Sequence, residues 1–440
     1  MSTTPDTMIE PNNVNVISVK LYSSQHNEPY DLSKTGGTWT HISIYENIAR
    51  NYIEGEITIV DAQDNFARIP IVLGEKIEIE FQTPSASSSY TFVGNVHEVP
   101  SRKQIDQGSQ IYVLKFISNE FVINQRLKFS KAYNGMLISD MVSKIHAQYI
   151  ASSTTKPFNI VPTLNQTSCV VPTFSPFKAI NWLCQWAVSP KYRSGASYLF
   201  FENQHGYYFG PIEALIDSDI VSKPAASYRR SHTSTDKTDI KEAFDTIIDF
   251  VPKHNGFLND MFAGMYASKI KTRDIVLRTP SEIPYNYFQN YSDNKHLGHE
   301  SKGPITNDSS LGVYSDSLIQ HTPSHYSAYP DQSSTRTNNT SLSRKSQFAQ
   351  YFSLEAEITI PGDSERTIGE VINIKLPNAA PTLEGSSDEP DKYLSGKYLI
   401  TALRHILTNN QGYHRHTIKM VGSKESYATP LPERLVNPWS

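Results

Sequence analysis

At 440 residues the chain exceeds what one hydrophobic core usually organises, so two to four compact units are expected. An apolar fraction of 38%, an aromatic fraction of 11% and only 19% charged residues exclude a disordered acidic or basic chain and point to a folded, β-rich protein. A net charge of −4 and no dense Lys/Arg run remove the electrostatic basis for holding a polyanion, which disfavours specific nucleic-acid binding as the main role.

In chain order, the N-terminal tail, residues 1–13, is polar and lacks the basic and apolar regions of a signal peptide. No apolar run approaches the ~18 residues of a membrane span, so assembly inside a cell without export, and no membrane partner, are expected. Residues 14–125 then carry four strand signals: EGEITI (Glu54–Ile59), GEKIEIEF (Gly74–Phe81), YTFVGNVH (Tyr90–His97) and IYVLKFIS (Ile111–Ser118). In the second of these, alternation puts Ile77, Ile79 and Phe81 on a dry face and Lys76, Glu78 and Glu80 on a wet one.

Residues 126–234 change to a helical period. GMLISDMVSKIHAQY (Gly135–Tyr149) places Leu137, Met141, Val142 and Ile145 on one face, and SPFKAINWLCQWAVS places Ile180, Leu183, Cys184 and Ala187 likewise, with Ser175 as N-cap and Pro176 first in the helix. The two cysteines, Cys169 and Cys184, lie among apolar neighbours and read as reduced, buried thiols. YLFFENQHGYYFGPI (Tyr198–Ile212) reads as a hairpin turning near Gln204-His205-Gly206, which completes a small α+β domain.

Residues 235–280 plus 347–425 return the four strand signals in the same order, as EAEITI (Glu355–Ile360), GEVINIKL (Gly369–Leu376), YLITALRH (Tyr398–His405) and HTIKMVGS (His416–Ser423). Four matches in one order are much harder to obtain by chance than one, and they mark an internal duplication. Here Ile372, Ile374 and Leu376 oppose Val371, Asn373 and Lys375. Residues 281–346 interrupt this copy with an aliphatic-poor excursion, ending in a helix that spaces Leu342, Lys345, Phe348 or Ala349 and Phe352 by turns; residues 426–440 are a C-terminal tail. The expected fold class is mainly β with α+β: two duplicated antiparallel β-barrel (tube-like) domains flanking a small α+β domain, with an irregular insertion in the second barrel.

Catalytic signals are sparse. SPFK (Ser175–Lys178), SDN (Ser292–Asn294) and KTG (Lys34–Gly36) reproduce the three short motifs of serine β-lactamases, but KTG comes last in that family and first here, so a capped helix and two loops are the plainer account. If Asn410-Gln411 turns the last hairpin, His405 faces His416, Leu403 faces Ile418, and His414 joins them on one sheet face. Three imidazoles could hold zinc, yet no carboxylate backs them, and metal-free histidines at the core edge are expected. His296, His299, His321 and His325 lack compact ligand spacing. No GxGxxG, P-loop, GxSxG, HExxH, CxxC or EF-hand loop occurs, so no catalytic, cofactor-binding or metal residue is assigned. The aromatic YNYFQNY (Tyr285–Tyr291) gives weak support to glycan binding and reads equally as a set of loop anchors.

Taken together, IYENIARNYIEGEITIVDAQDNFARIPIVLGEKIEIEF, PFKAINWLCQWAVSPKYRSGASYLFFENQHGYYFGPI, NDMFAGMYASKIKTRDIVLR, EAEITIPGDSERTIGEVINIKLP and YLSGKYLITALRHIL give a sequence that resembles the baseplate central hub protein of contractile-tailed phages. The hub portion of type VI secretion spike proteins is similar. The resemblance implies a homotrimer whose two barrels per subunit alternate around an axis, a pseudo-hexameric ring between a threefold spike and a sixfold tail tube. It implies no turnover and no cofactor. The implied partners are further copies of the chain, the trimeric central spike protein, the tail tube protein ring and the baseplate wedge proteins, in a virion tail assembled in the host cytoplasm. Lys76, Glu78, Glu80, Asn373 and Lys375 are then candidates to line the channel or meet a neighbouring ring, where Glu78 and Glu80 would discourage DNA from sticking. The alternatives are a tail-associated peptidoglycan hydrolase and a host-glycan-binding tail protein.

Overall fold

The computed structural model describes residues 12–23, 28–34, 39–62, 71–106, 108–164, 166–192, 195–217, 226–230, 244–254, 256–274, 278–298, 300–301, 318–324, 334–378, 390–410, 412–427 and 429. The first arm comprises β1 (Asn15–Tyr22), β2 (Tyr30–Asp31), β3 (Trp39–Asn47), β4 (Glu54–Asp61), β5 (Lys76–Gln82), β6 (Tyr90–Asp106) and β7 (Ser109–Ser118). Period-two alternation governs it: Ile77, Ile79 and Phe81 are buried while Lys76 is exposed and Glu78 and Glu80 are half-buried.

The middle of the chain supplies α1 (Asn119–Arg126), β8 (Phe129–Leu137), α2 (Ile138–Tyr149), β9 (Phe158–Ile160), β10 (Gln166–Phe174), α3 (Pro176–Cys184), β11 (Tyr198–Asn203), β12 (Gly206–Pro211) and α4 (Ile212–Ile216). The first expected helix starts later than its periodicity indicates. Met136 and Leu137 are still strand residues, paired with Thr167 and Gln166 of β10, and Ile138 takes the buried place expected of Leu137. At α3, Ser175 has extended backbone and its carbonyl accepts the Ala179 N–H, but its side chain makes no cap bond; the Phe177 N–H goes to Asn124 Oδ1 at 2.8 Å instead. The β11–β12 hairpin is buried on both faces and divides two cores. Tyr198, Phe200, Tyr207 and Phe209 pack with α2 and α3, whereas Phe201 and Tyr208 pack with the second arm.

The remaining elements are β13 (Ser227–Arg229), β14 (Asp249–His254), α5 (Phe257–Phe262), β15 (Ala267–Asp274), β16 (Pro280–Asn286), α6 (Tyr287–Asn290), β17 (Glu300–Ser301), β18 (Ile319–Ser324), α7 (Ser334–Tyr351), β19 (Leu354–Pro361), β20 (Val371–Lys375), β21 (Gly396–Asn410), β22 (Tyr413–Lys424) and β23 (Ser426–Tyr427). Two expectations change here. β15 lies between β16 and β18 in a separate three-stranded sheet, so a strand allotted to the second barrel pairs with the excursion. The excursion does bury side chains, because its tyrosines substitute for the missing aliphatics: Tyr285 and Tyr287 pack on Met265, Tyr266, Ile270 and Leu342. Of the two tails, residues 1–11 and nearly all of 428–440 lie outside the described residues.

The main sheet has thirteen strands in the order β14-β19-β22-β21-β3-β4-β7-β6-β5-β1-β2, with β20 on β21 and β13 on β20. Two equal paths are nested in it, β3-β4-β7-β6-β5-β1 and β14-β19-β22-β21-β20-β13. Each of the four matched sequence segments holds the same rank in its path. A register shift also recurs at one place, between Val96 and Glu98 in β6 and between Ile400 and Ala402 in β21. The last strands differ, β1 being antiparallel to β5 and β13 parallel to β20. Instead of two separate sheets, the described strands run continuously through both arms. β21 extends past β20 and pairs its far end with β3, from Ala402 opposite Asn47 to Thr408 opposite His41. Leu407 thereby enters the first core and Ile48 the second.

Packing accounts for the one residue that separates EGEITI from EAEITI. Gly55 lies opposite Phe116, and a Cβ there would run into the Phe116 ring and the Ser43 carbonyl. In the second arm the sizes are exchanged, Ala356 lying opposite Gly422.

Candidate functional site

The β3–β21 seam buries one cluster of polar side chains that spans both arms. Glu46, placed on the core side of β3 by alternation, accepts hydrogen bonds from the Tyr90 hydroxyl at 3.0 Å, from the Ile368 N–H at 3.2 Å and from the Thr367 hydroxyl. One carboxyl group therefore joins both arms. Burial pushes it up to about 7, against the hydrogen bonds, which favour the charged form. Beside it, His405 Nδ1 and His416 Nε2 lie 3.0 Å apart, packed against Tyr90 and Phe81. Burial holds both imidazoles neutral, taking His405 down to about 3. A second clasp lies at the loop tips. Glu365 Oε1 accepts from the backbone N–H and hydroxyl of both Ser87 and Ser88 at 2.5–3.0 Å, and Thr83 and Ser364 exchange N–H to hydroxyl bonds.

The opposite side of the sheet is polar. Following the ladders, one row crosses it from Lys76 through Asn95, Ile117, Glu54, Tyr45, Arg404, Lys419 and Thr359 to Asp249. At the seam this side forms a hollow of about 350 Å³ lined by Tyr45, Arg50, Glu54, Glu357, Arg404 and Lys419 among others. The Arg404 guanidinium lies 4.9 Å over the Tyr45 ring and donates to Ser43 Oγ at 2.9 Å. On this surface Arg50 pairs with Glu54, and Arg404 lies 3.7 Å from Glu56.

Of the five candidate positions, Lys76, Glu78 and Glu80 gather on β5. Glu78 accepts from the Tyr22 hydroxyl at 3.1 Å with Lys76 and Lys20 at 3.4 and 3.8 Å, and Glu80 accepts from Ser89 at 3.0 Å. Both lysines of this corner lie beside Glu78, while Glu80 is held by the Ser89 hydroxyl. Asn373 and Lys375 lie on β20, Asn373 opposite Lys397 and Lys375 beside Arg229. The ladders do not bring the two groups together. The charged row at the seam was invisible to sequence reading because it depends on β3 meeting β21, which no local pattern announces.

Other sequence candidates disperse. Asn410 pairs with Tyr413, so His405 faces Ile418, Leu403 faces Met420, and His405 meets His416 on the diagonal; His414 stacks on Trp39 with ring centroids 5.2 Å apart. No group of three His, Cys, Asp or Glu able to hold a metal forms among the described residues. Lys178 lies over the Phe174 ring, Asn294 accepts from Gln347, and Lys34 pairs with Asp31, so the β-lactamase motifs do not converge; Thr35 and Gly36 lie outside the described residues. Tyr285 and Tyr287 are buried, which removes them from a glycan platform. Among the described residues no helix is long and apolar enough to cross a membrane.

No protein-family model matches the sequence, and no curated protein matches it. Solved structures do. The chain is similar to a tail protein from Neisseria meningitidis MC58, with a TM-score of 0.53 at 10% identity over 93% of this chain and 96% of that one. It is equally similar to the 43 kDa tail protein of prophage MuSo2 from Shewanella oneidensis, with a TM-score of 0.54 at 9% identity over 94% and 98% of the two chains. The chain has the fold of these tail proteins.

Proposed function

We propose that the chain is a structural baseplate hub protein of a contractile phage tail, without enzymatic activity. In this reading three copies form a pseudo-hexameric ring that adapts a threefold central spike to the sixfold tail tube, with the wedge proteins around it, in a virion assembled in the host cytoplasm. The observation that carries it is the pair of six-strand paths with one strand order and one shared register shift. A chain with two related arms presents six similar units when it trimerises, and remains threefold elsewhere. The whole-chain likeness to two tail proteins supports the same setting. Lys76, Glu78, Glu80, Asn373 and Lys375 then serve as contact or lumen positions; reversing charge at Glu78 and Glu80 should alter the docking of the adjoining ring, and unchanged docking would remove them from that role.

The test is native mass by light scattering, alone and with the cognate spike protein. A mass near three protomers of 49.6 kDa alone, or of three protomers plus the spike in the mixture, is expected. A monomer in both would leave the duplicated arms without their sixfold purpose and refute the proposal.

A further inference from the structure

We infer that β14 of one copy adds to the free end of β6 of a second copy, repeating between molecules the seam that β3 and β21 make within one. This rests on the ring reading only for the number of copies. The correspondence between arms is fixed by backbone geometry. Gly74 and Gly369 both have positive φ, 97° and 82°. Their N–H groups donate to the carbonyls of Val96 and Ile400 at 2.8 and 2.9 Å, and those two residues donate back to Glu75 and Glu370 at 2.8 and 2.9 Å. Following the ladders outward, Ser101, Lys103 and Gln104 take the places of Arg404, Ile406 and Leu407. Asp249, Phe250, Val251 and Lys253 take those of His41, Ile42, Ser43 and Tyr45.

The internal seam is sealed and its counterpart is open. Thr367 and Ile368, against Glu46, are 1% and 0% exposed, whereas the corresponding Val72 and Leu73 are 69% and 49% exposed. Ile105 on β6 and Val251 on β14 stand out in the same way, at 52% and 50%. Among the described residues β14 pairs only with β19, and β6 beyond Glu98 pairs only with β7. The chain thus carries, unfilled, both sides of a seam it has already built once. A head-to-tail contact of this kind closes into a ring when its rotation permits. Carrying the register over puts Ser101 opposite Lys253, Lys103 opposite Val251 and Gln104 opposite Phe250, with Lys103 diagonal to Asp249 as an opposite-charge pair. Pro252 has no N–H and the Phe250 N–H donates to Asp249 Oδ1 at 2.9 Å, so this edge contributes mainly carbonyl acceptors to the N–H groups of β6, which weakens indiscriminate pairing.

The test is the full chain carrying both Lys103→Cys and Val251→Cys. Directly opposed residues of an antiparallel pair have Cα atoms about 4.5–5.5 Å apart, within disulfide range. Mild oxidation should give a covalent ladder ending at a closed species of three chains, absent from either single variant. Leu73→Asp, at an exposed side chain, should weaken self-association about tenfold or more. If the chain self-associates but the double variant forms no intermolecular disulfide and Leu73→Asp associates normally, this interface is overturned and the ring reading survives. A ladder that closes at another number keeps the interface and overturns the trimer. A chain that stays monomeric and uncrosslinked at millimolar concentration, alone and with spike, overturns both.

Discussion

Replacing Glu46 with Gln should remove a pH effect at the seam. The folded carboxyl is raised to about 7 by burial, with a further push from Glu202, from an ordinary value of 4.5. A raised folded value means that the native state keeps a proton the unfolded chain has released. The associated stability is therefore full below pH 4.5 and is lost as pH rises to about 7, a total of about 3 kcal/mol at ~1.4 kcal/mol per unit. Glu202 and Glu213 are also raised by burial, whereas His405 and His416 are lowered, so that their contribution is present above pH 6.5 and lost as pH falls. All four groups remain in the variant, so the difference between the two proteins reports Glu46 together with its coupling to Glu202. Thermal unfolding of both at pH 5 and pH 8 is the assay. The variant should match the parent within about 1 kcal/mol at pH 5 and exceed it by up to about 3 kcal/mol at pH 8, since an amide has no charge to desolvate. An offset that is the same at both pH values would refute the reasoning.

Gly55→Ala should destabilise by about 1–3 kcal/mol through overpacking against Phe116 and the Ser43 carbonyl, whereas Ala356→Gly should cost about 1 kcal/mol or less; thermal midpoints of the two variants check the asymmetry. Arg344→Met should cost about 3 kcal/mol or more and loosen α7, because Arg344 Nη1 donates to the carbonyls of Cys184, Ala196 and Tyr198 at 3.1, 2.7 and 2.9 Å, read as faster amide exchange in α7. Glu365→Ala should free the Ser87 and Ser88 donors and raise exchange in residues 83–89 with little change in the thermal midpoint, as this clasp is exposed to solvent.

Strand alternation was legible wherever one face is dry, as in Ile77, Ile79, Phe81, Ile372 and Ile374. The helical face of α7 was not. Its buried positions include Ser343, Ser346, Gln347 and Gln350, with Gln347 donating to Glu213, so hydrogen bonds and not apolar spacing set the face, while Phe348 is only half-buried. The last hairpin shows how small a local error becomes large. Gly412, at φ +93°, turns the chain one residue later than expected, which moves every cross-strand pair by two and takes His405 from opposite His416 to the diagonal. The β3–β21 pairing joins Tyr45 to Arg404 and leaves no trace in either neighbourhood, so the seam and its Glu46 needed the structure.

The divergence between the two arms becomes intelligible once the seams are compared. Where the internal seam holds His405 and His416 in contact, the corresponding diagonal on the free edge holds Arg102 Nε donating to Gln110 Oε1 at 2.8 Å. Leu407 has Gln104 as its counterpart, and Ile406 has Lys103. A seam made within one chain closes on folding, so neutral imidazoles and a carboxyl raised by burial to about 7 can occupy it. A seam made between chains must stay soluble on a free subunit until a partner arrives, and a charged, proline-containing edge provides that. The two arms share one strand order. The different demands of permanent and assembled contacts then account for which positions stayed apolar and which became charged.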